Sequence, residues 1–287
     1  MRTTPILSAI AAIAVLSSCS QGIAPAAQLA PSEPLKSATS WSLRLDEADY
    51  LQQWDLEERG TWGLENVEAI SGEQGSFSDF LRVYYPAGSA SPGVSREYDV
   101  PLGGAGFRGS LGLPPTDHLY LSYYLRFSDN FDFVRGGKLP GIYGGKGNSG
   151  GNIPDGTDGF STRMMWREGG KGEVYAYLPT SEEWGTSLSL ESWQFEPGKW
   201  HHIVQEVQLN DPEQANGKIR SWVDGTLVLD QSNLLFRTTD TLQIDGIFFS
   251  TFFGGGDLSW ATPDDVHTDF AEFSVFEAPP PDLDWLE

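Results

Sequence analysis

Alternation of apolar and polar residues, rather than a helical period, runs through this chain. It is clearest from His118 to Phe127, where Leu121, Tyr123, Leu125 and Phe127 face one way and Tyr120, Ser122, Tyr124 and Arg126 the other. Phe80 to Tyr85 alternates in the same manner and halts at Pro86-Ala87-Gly88. Further strands are predicted over Trp200–Val207, Ile244–Phe253 and Phe270–Phe276, and a hairpin over Gly217–Val228 turns at Asp224-Gly225. Trp41 to Trp62 is mixed, and a short helix or a lead strand is expected there. The Gly-rich run from Gly103 to Arg108 reads as a turn region. Phe131 to Gly145, with five glycines and a proline in its second half, reads as a loop pressed close to other backbone. No helical period is sustained past the N-terminal segment, and no repeat occurs. Many short strands separated by Gly and Pro turns predict an all-β fold, a jelly-roll sandwich of two antiparallel sheets.

One hairpin concentrates the chemistry. Phe160–Trp166 and Val174–Leu178 flank a turn-forming run, Arg167 to Glu173, that holds three glycines. Reversal near Gly169-Gly170 sets Arg163 opposite Tyr175 and Ser161 opposite Tyr177. A hydroxyl, a guanidinium and two phenols then share one face. The same residue types decorate ordinary solvated sheet faces, and a slip of one residue would disperse the cluster.

The ends of the chain change the picture. A basic Arg2 precedes the apolar run Ile6–Leu16, too short for a permanent membrane span, so residues 1–18 are read as an export signal. Leu16-Ser17-Ser18-Cys19 resembles the lipobox of bacterial lipoproteins. Cys19, the sole cysteine, is therefore the expected lipidation site. Ser20 after it points to the outer membrane, reached through a lipid anchor. Residues 19–40 are a flexible tether rich in Ala, Pro, Ser and Gln, residues 41–277 the folded domain, and residues 278–287 a C-terminal tail. A monomer without an internal disulfide is expected. The formal charge of −22, one unit more negative once Arg2 is removed, excludes nucleic acid as a partner. An anionic polymer has to approach such a surface at a locally basic cleft.

Three segments carry a resemblance. Gly136-Gly137-Lys138-Leu139-Pro140-Gly141-Ile142-Tyr143-Gly144-Gly145, Gly159-Phe160-Ser161-Thr162-Arg163-Met164-Met165-Trp166-Arg167 and Gly172-Glu173-Val174-Tyr175-Ala176-Tyr177-Leu178-Pro179 are similar to family 14 polysaccharide lyases, which include alginate and glucuronan lyases. The "WHHIVQEV" and "WVDGTLV" segments resemble the sandwich of legume-lectin and laminin-G domains, in keeping with a concanavalin-like jelly roll. The family resemblance implies a catalytic group of Lys138, Ser161, Arg163, Tyr175 and Tyr177. One departure is visible: Asn148 stands where a Cys is expected before Ser149-Gly150-Gly151, in a loop not expected to supply chemical groups.

What these residues can do is β-elimination on a uronate polymer, giving an unsaturated uronate end. Arg163, with Lys138 as a second charge, neutralises the carboxylate next to the scissile bond. Tyr175 and Tyr177 take and return protons, with Lys138 an alternative base. Ser161 is expected to hydrogen-bond substrate, and Arg82, Tyr124 and Arg126 to line the cleft. No cofactor is required, no catalytic metal is expected, and a structural calcium ion is left open. Alginate, polymannuronate and glucuronan all fit. Rival readings are a carbohydrate-binding surface lipoprotein without catalysis, and a glycoside hydrolase, which needs a close carboxylate pair, whereas no Glu-x-Asp-x-x-Glu run occurs on any strand here.

Overall fold

The computed structural model describes residues 39–46, 49–72, 75–189 and 191–283. The expected signal segment, Cys19, the tether up to residue 38 and residues 284–287 lie outside them. In chain order the strands are β1 (Thr39–Ser42), β2 (Val67–Ser71), β3 (Asp79–Tyr85), β4 (Ala105–Gly109), β5 (His118–Phe127), β6 (Gly136–Gly145) and β7 (Gly159–Arg167). There follow β8 (Gly172–Tyr177), β9 (Thr186–Leu188), β10 (Trp200–Gln208), β11 (Gly217–Val223), β12 (Thr226–Leu234), β13 (Gly246–Phe253) and β14 (Val266–Phe276). Two antiparallel sheets result. The larger runs β12-β11-β10-β5-β14-β3-β2, with β1 also on β14, and the smaller runs β4-β13-β6-β7-β8-β9. This is the expected all-β jelly-roll sandwich.

The core lies between the sheets and follows the alternation. Leu121, Tyr123, Leu125 and Phe127 of β5 are inaccessible, as are Phe160, Met164 and Trp166 of β7. Each such side chain contributes roughly 1.5–3 kcal/mol by leaving water. Aromatic rings fill much of the layer. Trp54, in a short 3-10 helix Tyr50–Trp54, meets Phe107, Phe249 and Phe273 edge-on at centroid distances of 5.1–5.7 Å. The segment from Trp41 to Trp62 thus holds both the lead strand and a short helical turn.

Three elements differ from the sequence reading. The segment expected to be a loop contains β6, a central strand of the smaller sheet. Its glycines are demanded by proximity: a Cβ on Gly137 would sit 2.0 Å from the Trp166 ring, and one on Gly141 2.1 Å from the Thr162 carbonyl oxygen. Pro140, which has no N–H to donate, falls where pairing to both neighbours skips, so the proline sits in a bulge. Likewise the run read as a turn at Gly103–Arg108 supplies edge strand β4. A helix, α1 (Pro92–Tyr98), also appears; Ser91 accepts from the Val94 N–H at 3.4 Å, and Asp99 ends the helix in the left-handed region at φ 52°. Seven residues are too few to show a period.

Packing also continues past residue 277, the expected end of the domain. Leu283 is buried with Tyr120, Val204, Trp222 and Phe276, on the larger sheet's outer face. Alternation therefore sorts faces correctly, but the outer face of the larger sheet is itself partly covered.

Candidate active site

The central hairpin pairs in the register read from the sequence, with Arg163 opposite Tyr175 and Ser161 opposite Tyr177. Gly169 and Gly170 take positive φ, 68° and 81°, to make the reversal. Met165 on β7 is paired with Lys138 on β6, and Phe252 on β13 flanks Lys138 on its other side. Period-2 alternation then puts Lys138, Ser161, Arg163, Met165, Tyr175 and Tyr177 on the face of the smaller sheet that points away from the core.

Arg163 is the electrostatic centre of that face. It is only 3% exposed, its Nη1 donates to Ser250 Oγ at 3.2 Å, and its guanidinium lies 4.9 Å from the centroid of Phe248. Among the described residues its Nε–H has no acceptor, and no carboxylate lies within ion-pair distance. Burial pushes this guanidinium down to about 10, with the neighbouring phenols opposing and Arg108 assisting. A buried, unpaired cation carries a desolvation cost that an arriving anion would relieve.

Lys138 sits beside it. Its Nζ is 3.0 Å from Met165 Sδ and 4.6 Å from the centroid of the Tyr175 ring. Although the residue keeps partial accessibility, its amine is enclosed by protein. Burial first, then the charges of Arg163 and Arg167, hold it well below the ordinary lysine range, while Glu173 works in the opposite direction. The neutral amine is therefore within reach as a base.

The two phenols are crossed at a centroid distance of 5.7 Å. Gly185 lies against both rings, since a Cβ there would be 2.8 Å from each. Tyr175 is pushed up to about 12, by burial first and then by the charge and hydrogen bond of Tyr177, so it keeps its proton. Tyr177 is buried, and its oxygen accepts the Gly151 N–H at 3.0 Å.

Three expectations are corrected here. Ser161 is fully buried and donates to the Asn148 carbonyl at 2.6 Å, so its hydroxyl holds a loop rather than facing a substrate. The 148–151 loop in turn brings a backbone donor to Tyr177 and does contribute a chemical group. Arg82, Tyr124 and Arg126 do not line this face. They belong to β3 and β5 of the larger sheet, on its outer side, across the core from Lys138. Arg82 and Arg126 flank Asp269 of β14 and bond to its buried carboxylate at 2.7 Å each, which fixes three strands to one another. Alternation assigns a residue to a face; it does not say to which sheet the strand belongs.

Other residues of the site escaped the sequence reading. Phe248 and Ser250 come from β13, and Arg108 from β4, with its guanidinium 4.6 Å from the centroid of Phe248. Arg167 ends β7, bonds the buried Glu173 with Nε at 2.9 Å, and lies 5.8 Å from the Tyr175 centroid. The only available signal for Arg167 and Glu173 was their place at the ends of the hairpin. Among the described residues no group of three or more His, Cys, Asp and Glu side chains could hold a metal ion.

Comparison with known proteins follows the same lines. The family model described as Polysaccharide lyase 14 matches residues 73–273. A marine family 14 alginate lyase from Aplysia kurodai is 32% identical, with 84% of this chain and 100% of that one covered and a TM-score of 0.71. The alginate lyase vAL-1 from Chlorella virus is 20% identical over 84% of this chain and 100% of its own, with a TM-score of 0.68. An endo-β-1,4-glucuronan lyase from Trichoderma reesei shares the fold at 14% identity, covering 84% and 96%, with a TM-score of 0.54. Curated protein sequences gave no match.

Proposed function

The chain belongs to polysaccharide lyase family 14 and is a polysaccharide lyase; from that premise we propose that it cleaves a polyuronate, with alginate the first candidate, by β-elimination at the face around Arg163. The observation that carries this reading is the buried Arg163 guanidinium, which among the described residues has no carboxylate partner, in a protein of formal charge −22. Such a group is suited to the carboxylate of a uronate ring, whose charge grows as the C5 proton leaves. The likeness to an alginate lyase at 32% identity supports the choice of alginate.

The steps balance without water. The Lys138 amine takes the C5 proton, the electron pair spreads into the carboxylate held by Arg163, and it then closes the C4–C5 double bond as the C4–O4 bond breaks. Tyr175, which keeps its proton across neutral pH, delivers it to the departing O4. The proton on Lys138 and the vacancy on Tyr175 are exchanged with solvent before the next turnover. Tyr177, fixed by Gly151, orients Tyr175, and Ser161 holds the loop that carries Gly151. Charge neutralisation comes from side chains in this scheme, so chelator leaves turnover unchanged.

The test is a panel of alginate, polymannuronate, polyguluronate and glucuronan, followed by the ultraviolet absorbance of unsaturated ends. Absorbance growing on at least one polymer, with Arg163→Ala silent, is expected. Saturated products only, or binding with no new absorbance, would overturn the proposal in favour of hydrolysis or of a carbohydrate-binding role.

A further inference from the structure

Beyond the Arg163 face, a cavity of about 570 Å³ is bordered by Arg135, Arg167, Glu168, Lys171, Glu191 and Trp260. Its volume falls within the roughly 300–1,000 Å³ usual for small-ligand sites. Three of these residues are cations, although the chain has 18 Lys and Arg against 40 Asp and Glu. The cavity joins the site through Arg167, whose guanidinium is 5.8 Å from the Tyr175 ring and whose charge bears on Lys138. On the other side, Arg135 immediately precedes β6, three residues before Lys138, a separation of roughly 10 Å along a strand.

The three cations are not equally engaged. Arg167 is neutralised by buried Glu173. Lys171 pairs with Glu191 at 2.9 Å, but both are about half-exposed, and such pairs hold weakly. Arg135 has no carboxylate within ion-pair distance among the described residues. Its Nη1 donates to Ser259 Oγ at 2.6 Å, and that hydroxyl is already turned toward Asp257. The Arg135 guanidinium lies 4.8 Å from the centroid of Trp260. The indole is itself fixed against the backbone of Gly255, where a Cβ would be 2.1 Å from the ring. A cation is thus held in a set orientation by an aromatic wall, at the rim of an open cavity contiguous with the site.

We propose that this cavity is a subsite for a second uronate of the bound polymer, with Arg135 taking its carboxylate and Trp260 forming its wall. The proposal rests on the polyuronate reading above and adds where a neighbouring sugar sits. Glu191 competes with that sugar for Lys171 and weakens the subsite.

The experiment uses whichever polyuronate of the panel the wild type cleaves fastest, together with its hexasaccharide and its shortest cleaved oligosaccharide. Arg135→Gln is expected to raise KM for polymer and hexasaccharide about tenfold, the size of a lost charge-assisted hydrogen bond. Its kcat moves little, and KM for the shortest oligosaccharide stays within twofold or so. Glu191→Gln is expected to lower KM for the polymer, and both differences shrink with added salt. Unchanged KM for polymer in both variants overturns the subsite, as does an equal rise in KM for long and short substrates. Calorimetric titration separates this inference from the reaction. Arg135-dependent binding by a wild type that releases no unsaturated ends upholds the subsite and overturns the elimination. Unchanged KM and Kd in an active R135Q enzyme overturns the subsite alone.

Discussion

At the scale of single residues, the site is governed by what surrounds Lys138 and Tyr175. The lysine is held below its ordinary range and the tyrosine is pushed up to about 12, so one is ready to accept a proton while the other retains its own. The sign of the pH dependence follows. Activity is lost as pH falls through the depressed lysine value, because the amine becomes an ammonium, and the alkaline limb lies far above neutrality. Lys138→Ala is expected to lower kcat by at least ~10², with partial recovery on adding a small primary amine. Lys138→Arg should be inactive at every pH, since a guanidinium has no accessible neutral form. A K138R enzyme with a normal acid limb would remove Lys138 from the role of base.

Much of this was legible in the chain, for a physical reason. Strand alternation is local, and so is the turn at Gly169-Gly170; together they fix which residues of β7 and β8 face each other. Arg163, Tyr175 and Tyr177 therefore come together from sequence alone. The same pattern gives the register of Ser161 but not its role, because its partner, the Asn148 carbonyl, belongs to a loop whose path no local pattern encodes. The contributions of Phe248, Ser250 and Arg108 depend on β13 inserting between β4 and β6, a long-range pairing that leaves no trace in either strand.

Elements explain the remaining differences. Strand β6 was hidden by the glycines and proline that let it lie against Trp166 and Thr162; composition that usually signals a loop here records crowding. The loop held by Ser161 is an element of the site in its own right, since it positions the Gly151 donor on Tyr177. Ser161→Ala is expected to cost about 1 kcal/mol of stability and to lower kcat about tenfold, with the circular dichroism spectrum unchanged. Wild-type turnover in S161A would show that the loop needs no such anchor. In the larger sheet, Asp269 bridges β3 and β5 through Arg82 and Arg126. Asp269→Asn leaves two arginines facing each other, and a loss of about 3–5 kcal/mol is expected. Denaturant titration should report it, with KM unaffected because this cluster lies across the core from the site.

On the scale of the whole molecule, the acidic chain and its cationic face act together. Net negative charge disfavours a polyanion over much of the surface, and Arg163 and Arg135, which no carboxylate pairs among the described residues, offset it locally. We also propose, from the N-terminal sequence, that the enzyme is exported and anchored at the outer membrane through lipidated Cys19. Cys19→Ala is expected to move activity from the membrane fraction to the soluble fraction without changing kcat/KM on soluble polymer. Membrane retention of the variant would refute the anchor.

The guanidinium of Arg163 has an implication for handling the enzyme. A lone cation enclosed by Phe248 and Ser250 will welcome any small anion that fits, whether or not it is a sugar. Acetate or formate should therefore raise the melting temperature by binding the folded form alone and should compete with substrate, so the choice of buffer salt becomes a variable in every kinetic measurement.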